Sequence, residues 1–124
     1  MSAPDPVIVT IPVSEIHDWD SFHTVFARTL GFPGFYGRNM NAWNDCMTSI
    51  DHPEHGMTSI HAPAGGMLVL DLGVCTDFAQ RCPEQYEALL DSTAFVNYRR
   101  IEVGDTPVLG LSFWNEQRVF TNKA

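Results

Sequence analysis

The run MLVLDLG, residues 67–73, is apolar at nearly every position and too short to be a helix of ordinary length. A strand that hides one face alternates apolar and polar residues, whereas a strand covered on both faces reads as a continuous apolar run. The stretch therefore predicts a central, buried strand. Toward the N-terminus, VIVTIPV (7–13) is β-branched and bounded by Pro6, which predicts a first strand, with Pro12 marking an edge position or an early end. Toward the C-terminus, PVLGLSFW (107–114) predicts a last strand. The intervals between these strands carry helical patterns. The spacing thus predicts an α/β fold, a three-stranded parallel sheet flanked by helices, in a single domain over residues 1–124.

The first interval holds two helices. Asp18 is a good N-cap, and Trp19, Phe22, Phe26 and Leu30 recur at helical spacing until Gly31 and Pro33 stop the helix. Residues 31–38 form a Gly/Pro/aromatic loop in which Gly31, Gly34 and Gly37 are expected at positive φ. Asn39 is an N-cap type opening a second helix to about Ile50. Residues 51–66, rich in Gly, Pro and His, predict a long surface loop, more chain than a compact domain needs and so a candidate additional contact. In the second interval a short turn or helix covers 76–81. Pro83 then opens a longer helix through Tyr86, Leu89, Leu90, Ala94 and Ile101, stopped by Gly104. The tail NEQRVFTNKA (115–124) predicts weak structure in which Val119 and Phe120 pack back.

Seven Lys plus Arg oppose fifteen Asp plus Glu, a formal charge of −8. Such a surface repels phosphate backbones, so nucleic-acid binding is not expected; it attracts a basic partner and speeds the encounter. Cys46, Cys75 and Cys82 form no C-x-x-C pair, and any disulfide leaves one over, which fits buried or free thiols in a reducing compartment. The N-terminus lacks the basic segment of a signal peptide and no run is long enough to span a bilayer, so a cytoplasmic location is the expectation.

The chemistry concentrates in PGFYGRNMNAWNDCMT, residues 33–48. On a helix from Asn39 to Ile50, Ala42, Trp43, Cys46, Met47 and Ile50 share an apolar face, while Asn41, Asn44, Asp45 and Thr48 share the other. That polar face has no Lys, Arg or Glu; it offers short amides and a hydroxyl around one carboxylate. Short side chains lose little entropy when fixed, which suits a contact surface. A lone carboxylate can present its oxygens to an Arg or Lys cluster that ordinarily holds phosphate. Phe35 and Tyr36 add apolar bodies of the kind that anchor interfaces. The same pattern is also that of an ordinary capped surface helix beside a tight turn.

Through Tyr36, Gly37, Asn39, Asn41, Ala42, Asp45, Cys46 and Thr48, this segment resembles the signature of the barstar family, intracellular inhibitors of barnase-type ribonucleases. The resemblance implies that Asp45 enters the nuclease's phosphate site, with Phe35, Tyr36, Gly37, Asn39, Asn41, Asn44 and Thr48 as the surrounding contact surface. It also implies a second acid at the end of the helix before the last strand, for which Glu102 is the nearest candidate. The partner implied is a basic ribonuclease or nuclease toxin domain, the role an immunity protein without catalysis, cofactor or metal. Departures are visible. Asn41 stands where the family often has Asp, Phe35 where Tyr is frequent, and Asn44 where barstar has Trp; Ser49 and Ile50 replace a Gly-Trp pair, and Arg99 and Arg100 add positive charge near Glu102.

Two other readings use different residues. His52, His55 and His61, with Asp51 and Glu54, have the chemistry to hold a transition metal, although their spacing is that of no known structural site. A His-based hydrolase acting by general acid–base chemistry is the enzymatic alternative, but none of the five histidines falls on the patterned helix face. A barstar-fold adaptor without a nuclease target is the third.

Overall fold

The computed structural model describes residues 4–116, so the expectations for Val119 and Phe120 lie outside the described residues. Three parallel strands, β1 (Val7–Thr10), β2 (Leu68–Val74) and β3 (Leu109–Trp114), pair in the order β1-β2-β3. Val9 sits opposite Leu70, and Leu70 opposite Leu111. The continuous apolar run is thus the middle strand of an α/β sheet consistent with a barstar-type fold. Parallel pairing requires long crossovers. Helices α1 (Trp19–Leu30) and α2 (Met40–Thr48) fill the first, and α3 (Thr76–Arg81) and α4 (Pro83–Glu102) the second. Among the described residues, no helix is long and apolar enough to cross a membrane.

β2 is less symmetrical than its sequence predicts. Leu68, Leu70 and Leu72 are fully buried, whereas Val69 and Asp71 on the opposite face are only half covered. The core lies on the leucine face, where Phe22, Phe26 and Leu30 of α1, Trp43 and Met47 of α2, and Leu89 and Val96 of α4 converge. The first strand is shorter than the β-branched run. Ile11 still donates to the Asp71 carbonyl at 2.9 Å, but Pro12 has no N–H, and residues 13–15 turn into a 3₁₀ helix. β1 is an edge strand, where the proline is tolerated.

α1 opens on a reciprocal cap, with the Asp18 carboxylate accepting from the Ser21 N–H. It closes on Gly31 in the left-handed region (φ 68°). The expectation for the loop glycines holds at Gly31 alone: Gly34 and Gly37 do not have positive φ, and Arg38 (φ 52°) takes the left-handed position. Arg38 is held there by its guanidinium, which donates to Asp20 (2.6 Å to Oδ1), the Asp20 carbonyl and Thr24.

The 51–66 loop is pinned rather than freely solvated. The Ser59 N–H donates to the Leu30 carbonyl and the Ala62 N–H to the Ile50 carbonyl, while Thr58 and Ala62 are buried. α4 also departs from its expected stripe. Ala94 and Ile101 are exposed, and the buried line runs Tyr86, Leu89, Thr93, Val96, Arg100. The polar end of that line is the second function of this helix in the fold. Arg100 is 3% exposed and grips Asp51 with two hydrogen bonds (2.9 and 2.8 Å), the Thr48 carbonyl at 2.7 Å and the Thr106 carbonyl at 2.7 Å. It therefore ties the end of α2 to the end of α4 and to the turn before β3.

Candidate functional site

α2 carries the site because its apolar face is consumed by the core. Trp43, Cys46, Met47 and Ile50 are buried, leaving Asn41, Asp45 and Thr48 on the outer side. Asn39 begins the helix as a cap: its side-chain oxygen accepts from the Ala42 N–H at 2.8 Å and its amide donates to the Gly37 carbonyl. Asn39 and Gly37 remain exposed, but their first duty is to shape the turn into α2.

Two expected contact residues are placed differently. Asn44 is buried (9% exposed) and its Oδ1 has no hydrogen-bond partner, so it leaves the exposed polar face. The helix turn that puts Trp43 into the core carries Asn44 partly in with it. Tyr36 is half-buried rather than an exposed anchor. Its ring packs against Phe32 (4.6 Å between centroids), and its hydroxyl shares a 2.6 Å hydrogen bond with Nδ1 of buried His23. Burial, reinforced by the nearby Cys46, pushes the Tyr36 hydroxyl's pKa above its ordinary value. Burial, then the Arg38 charge, lowers that of His23. Phe35 is the exposed aromatic of the pair (76%).

Asp45 has a side chain 63% exposed, but it is not solitary. Arg99 of α4 donates from Nη2 to Asp45 Oδ1 at 3.0 Å and from Nε to Thr48 Oγ1 at 2.7 Å. Thr48 Oγ1 in turn donates to the Asn44 carbonyl at 2.6 Å. The acid among neutral neighbours is thus one half of an ion pair whose other half comes from 54 residues downstream. Glu102 lies on the exposed surface of α4, where it raises the pKa of the Tyr98 hydroxyl. Arg99, not Glu102, is the α4 residue brought to Asp45.

Asp45 lies between two shallow clefts. Phe35, Tyr36, Gly37 and Met57 line one, and Thr48, Ser49, His55, Met57 and Arg99 the other. Met57 and Arg99 line these clefts and were missed by sequence reasoning; Met57 comes from the loop that follows α2 and Arg99 from α4, and only the charge of Arg99 hinted at a role.

The loop histidines are regrouped. Asp51 is committed to Arg100 and His61 lies beside Thr58, whereas His52 and His55 stack (4.7 Å, 17°). With Glu54 they offer three donor atoms within 4.8 Å of one another, a set whose chemistry suits a transition metal. His17 and His23 lie elsewhere, the first near Arg81 and the second under Tyr36.

No curated protein matches the chain. The family model described as Barstar (barnase inhibitor) matches residues 7–102. That span runs from β1 to the end of α4 and takes in the capped α2, its exposed Asp45 and the parallel pairing of β1 with β2. The chain belongs to the barstar family.

Proposed function

We propose that this protein inhibits a ribonuclease of the barnase type by covering its active site with the outer face of α2 and the preceding loop. The observation that carries the reading is Asp45: a carboxylate on a rigid helix, with one oxygen braced by Arg99 and the side chain still 63% exposed. A carboxylate so presented stands in for the phosphate oxygens that a ribonuclease binds with cations. Phe35 supplies apolar contact area beside it, Asn41 and Thr48 short polar contacts, and Glu102 a further negative charge toward the α4 side. The formal charge of −8 steers a basic nuclease and raises the on-rate more than the affinity. Binding is non-covalent and needs no cofactor. It protects the cytoplasm of the cell that makes or meets the toxin.

The test is inhibition of RNA cleavage by barnase-type ribonucleases, with and without Asp45→Ala. The substitution should weaken inhibition by about 2 kcal/mol or more, the general threshold for an interface hot spot, whose extreme example is barstar itself. Association should slow markedly with added salt, because steering between exposed charges is screened over about 10 Å at 0.1 M. An inhibition constant unchanged in the alanine variant removes the mechanism. Co-purification that recovers only partners other than a nuclease would favour the adaptor reading instead.

A further inference from the structure

The pairing of Arg99 with Asp45 bears on what the partner's site must contain, and the argument rests on the ribonuclease reading above. Arg99 is not a loose surface cation. Nε donates to Thr48 Oγ1, Nη2 donates to Asp45 Oδ1, and the guanidinium carbon sits 5.6 Å from the centre of the Phe95 ring. Thr48 is itself fixed by the bond to the Asn44 carbonyl. Three contacts from three residues hold the guanidinium while its side chain stays 32% exposed. A guanidinium has five N–H donors, so two bonds leave donors to spare.

An incoming cation that pairs with Asp45 therefore meets a second positive charge across the width of one ion pair. Water leaves as the surfaces close, the effective dielectric falls, and that repulsion grows. A pocket that is cationic throughout suits a lone carboxylate but is opposed by a carboxylate already carrying its own arginine. A site in which an acid lies beside the phosphate-binding cation satisfies both charges: the cation takes the open oxygen of Asp45, and the acid takes the spare donors of Arg99 in the planar geometry that guanidinium and carboxylate share.

We infer that Arg99 is a second recognition residue and that the partner's active site presents a carboxylate next to its phosphate-binding cation. Ribonucleases that use a carboxylate as general base supply such a group. The acidic surface as a whole draws the basic enzyme in, and the fixed Asp45–Arg99 dipole sets the register at contact. The departure toward positive charge at the end of α4 is then a selectivity device, disfavouring nucleases whose sites lack the acid.

The experiment measures binding of the full-length protein by calorimetry to barnase-type ribonucleases, each in its native form and with the active-site acid changed to its amide. Asp45→Asn should lose roughly 30-fold or more on the native enzyme, the scale of a hot spot. Arg99→Gln should lose about tenfold on the native enzyme and less than about twofold on the amide form, since its partner there has lost its charge. Arg99→Lys, which keeps the charge without the planar fork, should fall between. Equal unfolding midpoints of these variants separate lost contact from lost fold. Arg99→Gln binding the native enzyme as well as or better than wild type, or losing equally on both enzyme forms, overturns the proposal while leaving the inhibitor reading intact; equal loss would make Arg99 only a brace for Asp45. Unchanged binding by Asp45→Asn, or no wild-type binding to any enzyme of the panel, overturns both.

Discussion

Replacing Arg100 by Met should destabilise the protein by about 3–5 kcal/mol, the cost of breaking a buried ion pair by removing one partner. The structure supports the upper part of that range. Arg100 is 3% exposed and Asp51 13%, and their paired hydrogen bonds of 2.9 and 2.8 Å are worth about 4 kcal/mol of attraction at the effective dielectric of a protein surface. Its loss strands a shielded carboxylate and leaves the Thr48 and Thr106 carbonyls without their donor. Asp51→Asn should cost less, because Arg100 keeps both carbonyls and the Asp105 carboxylate at 3.3 Å. Burial raises the Asp51 pKa, but the Arg100 hydrogen bonds and charge, with a smaller contribution from His52, outweigh it and hold it below the ordinary value. A depressed folded pKa means that the unfolded chain takes up the proton first. The stabilisation is therefore complete above about pH 4, the unfolded value, and is lost as pH falls through the folded one. Urea unfolding at pH 7 and near pH 3 measures both effects: the gap between wild type and Asp51→Asn should narrow in acid, with the urea slope unchanged. A cost below about 1 kcal/mol for Arg100→Met at pH 7 would refute the view of this pair as the clamp between α2 and α4.

Three further outcomes follow from buried or strained positions. Gly31→Ala should cost about 1–3 kcal/mol in urea unfolding, because φ is 68° and the new Cβ would overlap Ser59 Oγ; a neutral effect would contradict the close packing of the loop on α1. His23 is buried and its pKa is lowered by burial and then by the Arg38 charge. Stability should therefore decline as pH drops below about 6.5, where the unfolded chain begins to bind the proton, and His23→Gln should flatten that slope between pH 7 and 5. Cys46 is buried, and burial, then the Asp45 charge, pushes its thiol up to about 11. Iodoacetamide at pH 7 should leave it unmodified in the native protein and alkylate it in urea, which mass spectrometry reads directly.

What the sequence revealed and concealed divides by range. The apolar run at 67–73, the Asp18 cap, the Asn39 cap, Pro83 at a first helical position and Gly104 after the last helix all act through neighbours within a few residues, and each is realised in the structure. The capped helix bearing Asp45 was legible for the same reason. Contacts made across 49 to 54 residues were not: Arg99 with Asp45, Arg100 with Asp51. Nothing local distinguishes a buried arginine from an exposed one, so the stripe of α4 was misplaced toward Ala94 and Ile101. Asn44 shows a subtler limit. On a short helix an amide next to the core-facing Trp43 sits at the boundary of the two faces, and the direction in which it leans depends on how α4 packs against α2.

Arg99 and Arg100 are consecutive and positive, yet one pairs with the outer face of α2 and the other with the buried scaffold, and helical geometry separates them. Successive side chains diverge by about 100°, so Arg100 extends the buried line of Leu89, Thr93 and Val96 while Arg99 swings toward the outer face of α2. Both converge on Thr48, Arg99 at its hydroxyl and Arg100 at its carbonyl. That carbonyl is one of those an α-helix leaves without an internal partner at its C-terminus, where a cation is also favoured by the helix dipole. The end of α2 is thus fixed from within by a buried arginine, and the acid it displays is oriented from outside by a half-buried one. Stability and recognition should then separate by one residue of chain. Arg99→Gln, which breaks a partly exposed pair worth about 0–1 kcal/mol, should leave the unfolding midpoint nearly unchanged and alter binding, whereas Arg100→Met should lower the midpoint substantially. The reverse pattern in those two variants would mean that the outer pair, not the buried one, holds α2 in place.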